Sequence, residues 1–101
     1  MKQMDMLSAM GYALAPKSLV ERKQKVRFMY RDTPDREEDS GWRFFTGDES
    51  DAYVNDPNNI GLYAISTIAE IDPDVIPLLN NPSGTAFERE DENKPFQFAP
   101  M

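Results

Sequence analysis

Val26-Arg27-Phe28-Met29-Tyr30-Arg31 and Trp42-Arg43-Phe44-Phe45-Thr46 are the two stretches that decide the fold. In the first, Val26, Phe28 and Tyr30 alternate with Arg27, Met29 and Arg31, the period-two pattern of a half-buried strand. In the second, Trp42 and Phe44 share a face and Phe45 takes the opposite one. The segment between them, Asp32 to Ser40, is polar, contains Pro34 and leads into Gly41, so it reads as an exposed connection. Two strands joined over this length make an antiparallel pair the economical topology.

Upstream, Tyr12 to Ala15 is a short apolar run stopped by Pro16, a strand or the end of one, and Ser18 to Lys23 has room for one helical turn. Downstream, Asp48 to Asn59 mixes acids, amides, Tyr53 and Pro57 and suits a helical turn followed by a loop. In Ile60 to Ile71 the residues Leu62, Ile65, Ile68 and Ala69 recur at helical spacing, and Pro73 ends the pattern. Asp72 and Pro73 are an N-cap and first-turn pair for another short helix, which Pro77 limits to a turn or two. After the turn signal Asn81-Pro82-Ser83-Gly84, Thr85 to Glu88 and Pro95 to Phe98 read as late strands. The expectation is an α+β fold: a small antiparallel sheet with a few short helices, one layer of each, in a single domain over residues 1–101.

Composition narrows the function. The chain of 101 residues has neither cysteine nor histidine, so thiol chemistry, disulfides and the commonest general base and transition-metal ligand are absent. Only carboxylates, Lys and Tyr remain for acid-base work, and an enzyme is not expected. No phosphate-cradling glycine run or nucleophile elbow occurs. Met1 to Met10 carries Lys2 and Asp5 and lacks a signal-peptide apolar run, and no stretch approaches the roughly 20 apolar residues of a membrane span. A cytoplasmic location is expected.

Charge is divided along the chain. Residues 1–31 sum to +5, residues 32–56 to −7 and the remainder to −5, giving the net −7. Such a balance argues against nucleic acid as a partner, because a phosphate-binding surface needs clustered Lys and Arg. Lys17, Arg22, Lys23, Lys25 and Arg27 read as a solvated rim that neutralises nearby carboxylates. The opposite signs of the first third and the middle also allow a head-to-tail dimer, and the sequence leaves the oligomeric state open.

The acidic middle holds the candidate partner-binding residues. Asp48, Glu49, Asp51 and Asp56 lie close in sequence to Trp42 and Tyr53, and an aromatic ring beside carboxylates makes an apolar anchor in an acidic rim. Trp42 reads first as a core residue and only second as such an anchor. Glu37, Glu38 and Asp39 are placed to steer a basic partner. The same carboxylates suit calcium or magnesium, but their order lacks the alternation, central Gly and terminal Glu of an EF-hand loop. Neither a metal site nor a cofactor is assigned.

Several runs carry a family resemblance. Val26-Arg27-Phe28-Met29-Tyr30-Arg31 and Asp39-Ser40-Gly41-Trp42-Arg43-Phe44-Phe45-Thr46-Gly47-Asp48-Glu49 are followed by Tyr53-Val54-Asn55-Asp56-Pro57 and Asn59-Ile60-Gly61-Leu62-Tyr63. Ile71-Asp72-Pro73-Asp74 and Gly84-Thr85-Ala86-Phe87-Glu88-Arg89 complete the set. Together these resemble the bacterial immunity protein 33 family over most of the chain. The resemblance implies an antitoxin-like protein that binds and neutralises a toxin inside the producing cell. Toxins of this kind are often nucleases with basic grooves, which an acidic inhibitor fills in place of phosphates. A regulatory or scaffold domain that binds another cytoplasmic protein is the alternative, with a carboxylate-based calcium or magnesium protein behind it.

Overall fold

A computed structural model describes residues 10–100; the N-terminal part of the leader reading, residues 1–9, lies outside them. The chain forms β1 (Tyr12–Pro16), α1 (Lys17–Glu21), β2 (Phe28–Arg31) and β3 (Asp39–Phe45), then α2 (Asp51–Val54) and a 3-10 turn at Pro57–Asn59. There follow β4 (Ile60–Ala64), α3 (Ile65–Ile71), a 3-10 segment at Pro73–Leu78, β5 (Ala86–Glu88) and β6 (Gln97–Phe98). The strands make one six-stranded sheet in the order β4-β1-β3-β2-β5-β6.

The fold is α+β, and the β2–β3 pair is antiparallel with Phe28 opposite Phe45, Met29 opposite Phe44 and Arg31 opposite Trp42. The sheet as a whole is mixed, because β1 runs parallel to β3 while its other neighbour, β4, is antiparallel. Glycine makes the β1–β3 contact possible. At Gly11 (φ +86°) a Cβ would sit on the Glu38 carbonyl oxygen, the group that accepts the Tyr12 N–H at 2.8 Å. On the other side of β3, at Gly41 (φ +88°), a Cβ would strike the carbonyl oxygen of Asp32, the residue after β2. The β1–β3 register slips here, with Tyr12 opposite Asp39 but Leu14 opposite Arg43, so β3 carries a bulge.

Ile60 to Ile71 is not one helix. Its first five residues are the edge strand β4, paired along their whole length with β1, and the helix begins at Ile65. Leu62 falls on a helical period with Ile65 and Ile68 by coincidence. The strand pattern is carried by Gly61 and Tyr63, opposite Ala15 and Ala13 on the buried face.

One face of the sheet is covered. Ala13, Ala15, Met29, Trp42, Phe44 and Phe87 point from it into a core completed by Leu19 of α1, Ile65, Ile68 and Ala69 of α3, and Val75 and Leu79. Each large apolar side chain buried this way contributes about 1.5–3 kcal/mol. Trp42 is stacked against Phe44, donates from Nε1 to the Leu79 carbonyl at 3.1 Å and lies beneath the Arg31 guanidinium. Arg31 in turn donates to the carbonyls of Ser40 at 2.9 Å and Asn81 at 2.8 Å, which fastens the chain after the 3-10 segment to the sheet.

Asp72 caps that segment through the Asp74 N–H at 3.2 Å, the role its Asp-Pro context predicts. It does more than cap. Its Oδ2 accepts the Val26 N–H at 2.9 Å and the Arg89 Nη2 at 2.6 Å, with both side chains of the ion pair almost completely buried. Arg89 also donates to the Val26 carbonyl and to Asp74, and its guanidinium lies 4.2 Å from the Phe96 ring centre. Replacing Arg89 by Met leaves a carboxylate buried without its cation, and the expected loss of unfolding free energy is about 3–5 kcal/mol. The double variant Asp72→Asn/Arg89→Met should recover part of that loss. Urea unfolding followed by the fluorescence of Trp42 measures both; equal stability of Arg89→Met and wild type would contradict the assigned role.

Candidate functional site

The sequence places its candidate residues around α2, and five of the six are there. Ser50 caps the helix by accepting the Tyr53 N–H at 3.1 Å, which sets Asp51 in the first turn, a favourable place for a carboxylate. Asp48, Glu49 and Tyr53 line a cleft of about 370 Å³ together with Ser18, Arg22 and Thr46. Tyr53 is half-buried, and its hydroxyl accepts the Ser18 N–H at 3.3 Å, tying α2 to α1.

These carboxylates do different work. Glu49 folds back onto its own turn, accepting the Thr46 N–H and hydroxyl at 2.8 Å each and the Gly47 N–H at 3.0 Å. Asp48 pairs with Arg27 at 3.2 Å while remaining 74 % exposed. Asp56 caps the 3-10 turn through the Asn58 N–H. Asp51 is exposed, with no hydrogen-bond partner for its carboxylate among the described residues. No three acidic side chains gather to hold a cation among the described residues.

Trp42 does not join this group. It is fully buried on the covered face of β3, so it serves the core and presents nothing to a partner. Asp39, expected to steer a partner, is likewise occupied. It makes a two-pronged ion pair with Arg43, at 2.9 Å for each prong, and both side chains are largely buried. In a regular strand residues four apart would be roughly 13 Å apart; the bulge at Gly41 shortens that span. Glu37 and Glu38 are exposed.

What sequence reading did not find is the second face of the sheet. Phe28 and Tyr30 of β2 and Phe45 of β3 point away from the helices and form a cluster with ring centres 5.8–6.2 Å apart. The three rings are half-buried and line a groove of about 490 Å³ with Glu49 and Glu88. Across the Asp39–Arg43 pair lies another groove of about 440 Å³, floored by Tyr12, Leu14 and Leu62 and walled by Asp35, Arg36 and Glu38. The alternation in β2 marked Phe28 and Tyr30 as its apolar, buried side, but Met29 is the residue that enters the core, because the helices cover the other face and leave Phe28 and Tyr30 on the open one.

The geometry describes an α+β domain that presents an acidic helix shoulder and an apolar sheet face with charged rims. The chain belongs to the family described as Immunity protein Imm33 domain, which matches residues 13–99. No curated protein and no solved structure matches it.

The Asp39–Arg43 pair makes acid stability a test of this face. The hydrogen bonds from Arg43 hold the Asp39 carboxyl well below the usual carboxylate range; burial opposes them, and the N–H groups of Gly41 and Asp35 add to the lowering. A carboxyl with a depressed folded value binds fewer protons folded than unfolded. Its stabilisation is therefore complete above an unfolded value of about 4 and is lost as pH falls through that range toward the folded value. Asp39→Asn should be less stable than wild type at pH 7 and should lose less stability between pH 5 and pH 2. Urea melts across that range measure the difference, and parallel pH profiles would show that the pair contributes nothing to acid sensitivity.

Proposed function

We propose that this protein binds and neutralises a protein toxin, meeting a basic surface of that toxin with the acidic shoulder around α2. Membership of an immunity-protein family carries this reading. Exposed carboxylates at Asp48, Asp51 and Asp56 on one short segment, in a chain of net charge −7, support the electrostatic part of it. Carboxylates placed opposite Lys and Arg raise the association rate more than they raise the final affinity, because they act before contact. The exposed part of Tyr53 supplies an apolar edge beside them. Glu49 acts indirectly, holding the Thr46–Gly47 turn from which Asp48 projects.

The test starts with the tagged protein as bait in producing cells and proceeds to the toxin domain it retains. Protection of cells that express that domain is the functional readout. Asp51→Lys with Asp48→Lys should slow association about ten- to a hundredfold at low salt and flatten its salt dependence. Unchanged association and unchanged salt dependence would remove the acidic shoulder from the interface. A growth defect on deletion in cells that make no toxin would favour a regulatory role instead.

A further inference from the structure

The sheet ends on one side at β4, Ile60-Gly61-Leu62-Tyr63-Ala64, a strand without a charge, a proline or a bulge. Edge strands ordinarily carry such features because an open edge pairs with any extended chain it meets. The direction of the free groups follows from the ladder. Ile65 N–H bonds to the Gly11 carbonyl, in register with the β1–β4 pairing, so Tyr63 and Gly61 turn their backbone groups toward β1. Leu62 N–H and C=O, the Ile60 C=O and the Ala64 N–H therefore point outward. No hydrogen bond to them occurs among the described residues. Leu62 is also 62 % exposed, an unusual position for leucine on an edge.

Beside this edge lies the groove floored by Leu62, Leu14 and Tyr12, with Asp35 and Glu38 on its wall. We propose that β4 takes an extended segment of another protein as a seventh strand, with an apolar side chain over Leu62 and Leu14 and a Lys or Arg reaching Asp35 and Glu38. Main-chain hydrogen bonds to Leu62, Ile60 and Ala64 supply the affinity, and the groove supplies the selectivity, as in other strand-addition complexes. Asp39 is neutralised by Arg43, and Arg36 opposes one of the two remaining acids, leaving the wall net acidic. A second copy of this chain fits poorly, because the strand it would offer is β4 itself, which has no Lys or Arg to meet Asp35 and Glu38. The proposal does not require that the partner be the toxin.

Amide hydrogen exchange on the full-length protein gives the first test. Leu62 and Ala64 should exchange rapidly while Gly61 and Tyr63 are protected; protection of Leu62 and Ala64 in the free monomer would overturn the proposal, since the edge would already be covered. The second test is selection from a displayed library of random octapeptides on the full-length protein. Enriched peptides should carry an apolar residue and a Lys or Arg two positions apart, so that both face the groove, and should protect the Leu62 and Ala64 amides on binding. Leu62→Pro removes an outward donor at a place where an edge strand tolerates proline, and it should weaken a selected peptide at least about tenfold. Leu62→Lys, which keeps the backbone intact, should weaken it as well, whereas Asp51→Lys should not. No enrichment, or binding indifferent to both changes at Leu62, would overturn the proposal, as would dimerisation through β4.

Discussion

The fold depends on one buried carboxylate. Asp72 joins three parts of the chain that are distant in sequence: the residue that leads into β2, the start of the second 3-10 segment and the arginine that follows β5. A buried carboxylate without a partner costs several kcal/mol, so compact arrangements that separate Asp72 from Arg89 are disfavoured, and the pair acts more by excluding them than by adding net stability to the native one. Arg89 adds a second constraint, since its bonds to the Val26 carbonyl and to Asp74 fix β5 beside β2. The pairing of β2 with β5, and through it of β6, follows from this clamp.

Once the clamp and the central strands are in place, the two faces of the sheet become unequal. β1 contributes only Ala13 and Ala15 to the covered face, small residues beside which Leu19 of α1 and Ile65 and Ile68 of α3 fill the core. Trp42 and Phe44 occupy the deeper part of the same face beneath the 3-10 segment. The opposite face keeps Phe28, Tyr30 and Phe45, with the Asp39–Arg43 pair between them and the β4 edge. The exposed apolar and charged faces are thus a by-product of where the helices pack, and the bulge at Gly41 is what allows a charged pair to sit in the middle of an apolar sheet face.

Much of this was legible in the residues. Alternation identified β2 and β3 and their antiparallel pairing; Asp72-Pro73 announced a capped turn; and the long runs around Trp42 resembled the family to which the chain belongs. The parallel neighbour of β3 was not legible, because alternation assigns faces but neither partners nor direction. β4 was hidden by apolar residues that fit two periods at once, and only its pairing with β1 decides between them. Trp42 misled as a partner anchor for a related reason. Proximity in sequence to Asp48 and Glu49 says nothing about the side of a strand, and Trp42 faces the core while those acids follow a turn.

The charge pattern misleads in the same way unless each charge is followed to its partner. The +5 of residues 1–31 overstates the free basic charge, because Arg27 is paired with Asp48 and Lys25 and Arg31 are held at backbone carbonyls, while Lys17, Arg22 and Lys23 stay exposed. Among the acids, Asp39, Asp72 and Asp74 face arginines, Glu49 holds a turn, and Asp56 and Asp91 accept local backbone N–H groups. Among the described residues, carboxylates without such duties stand at Asp35, Glu37 and Glu38 in the β2–β3 connection, at Asp51 on α2, and singly at Glu21, Glu70, Glu88 and Glu92. An unpaired carboxylate offers a partner more field than one bonded within the fold, so Asp51 leads the acidic shoulder while Asp48, paired with Arg27 but largely exposed, adds to it. An exposed connection of free acids beside an uncharged strand edge therefore says more about what this domain can bind than the net charge does.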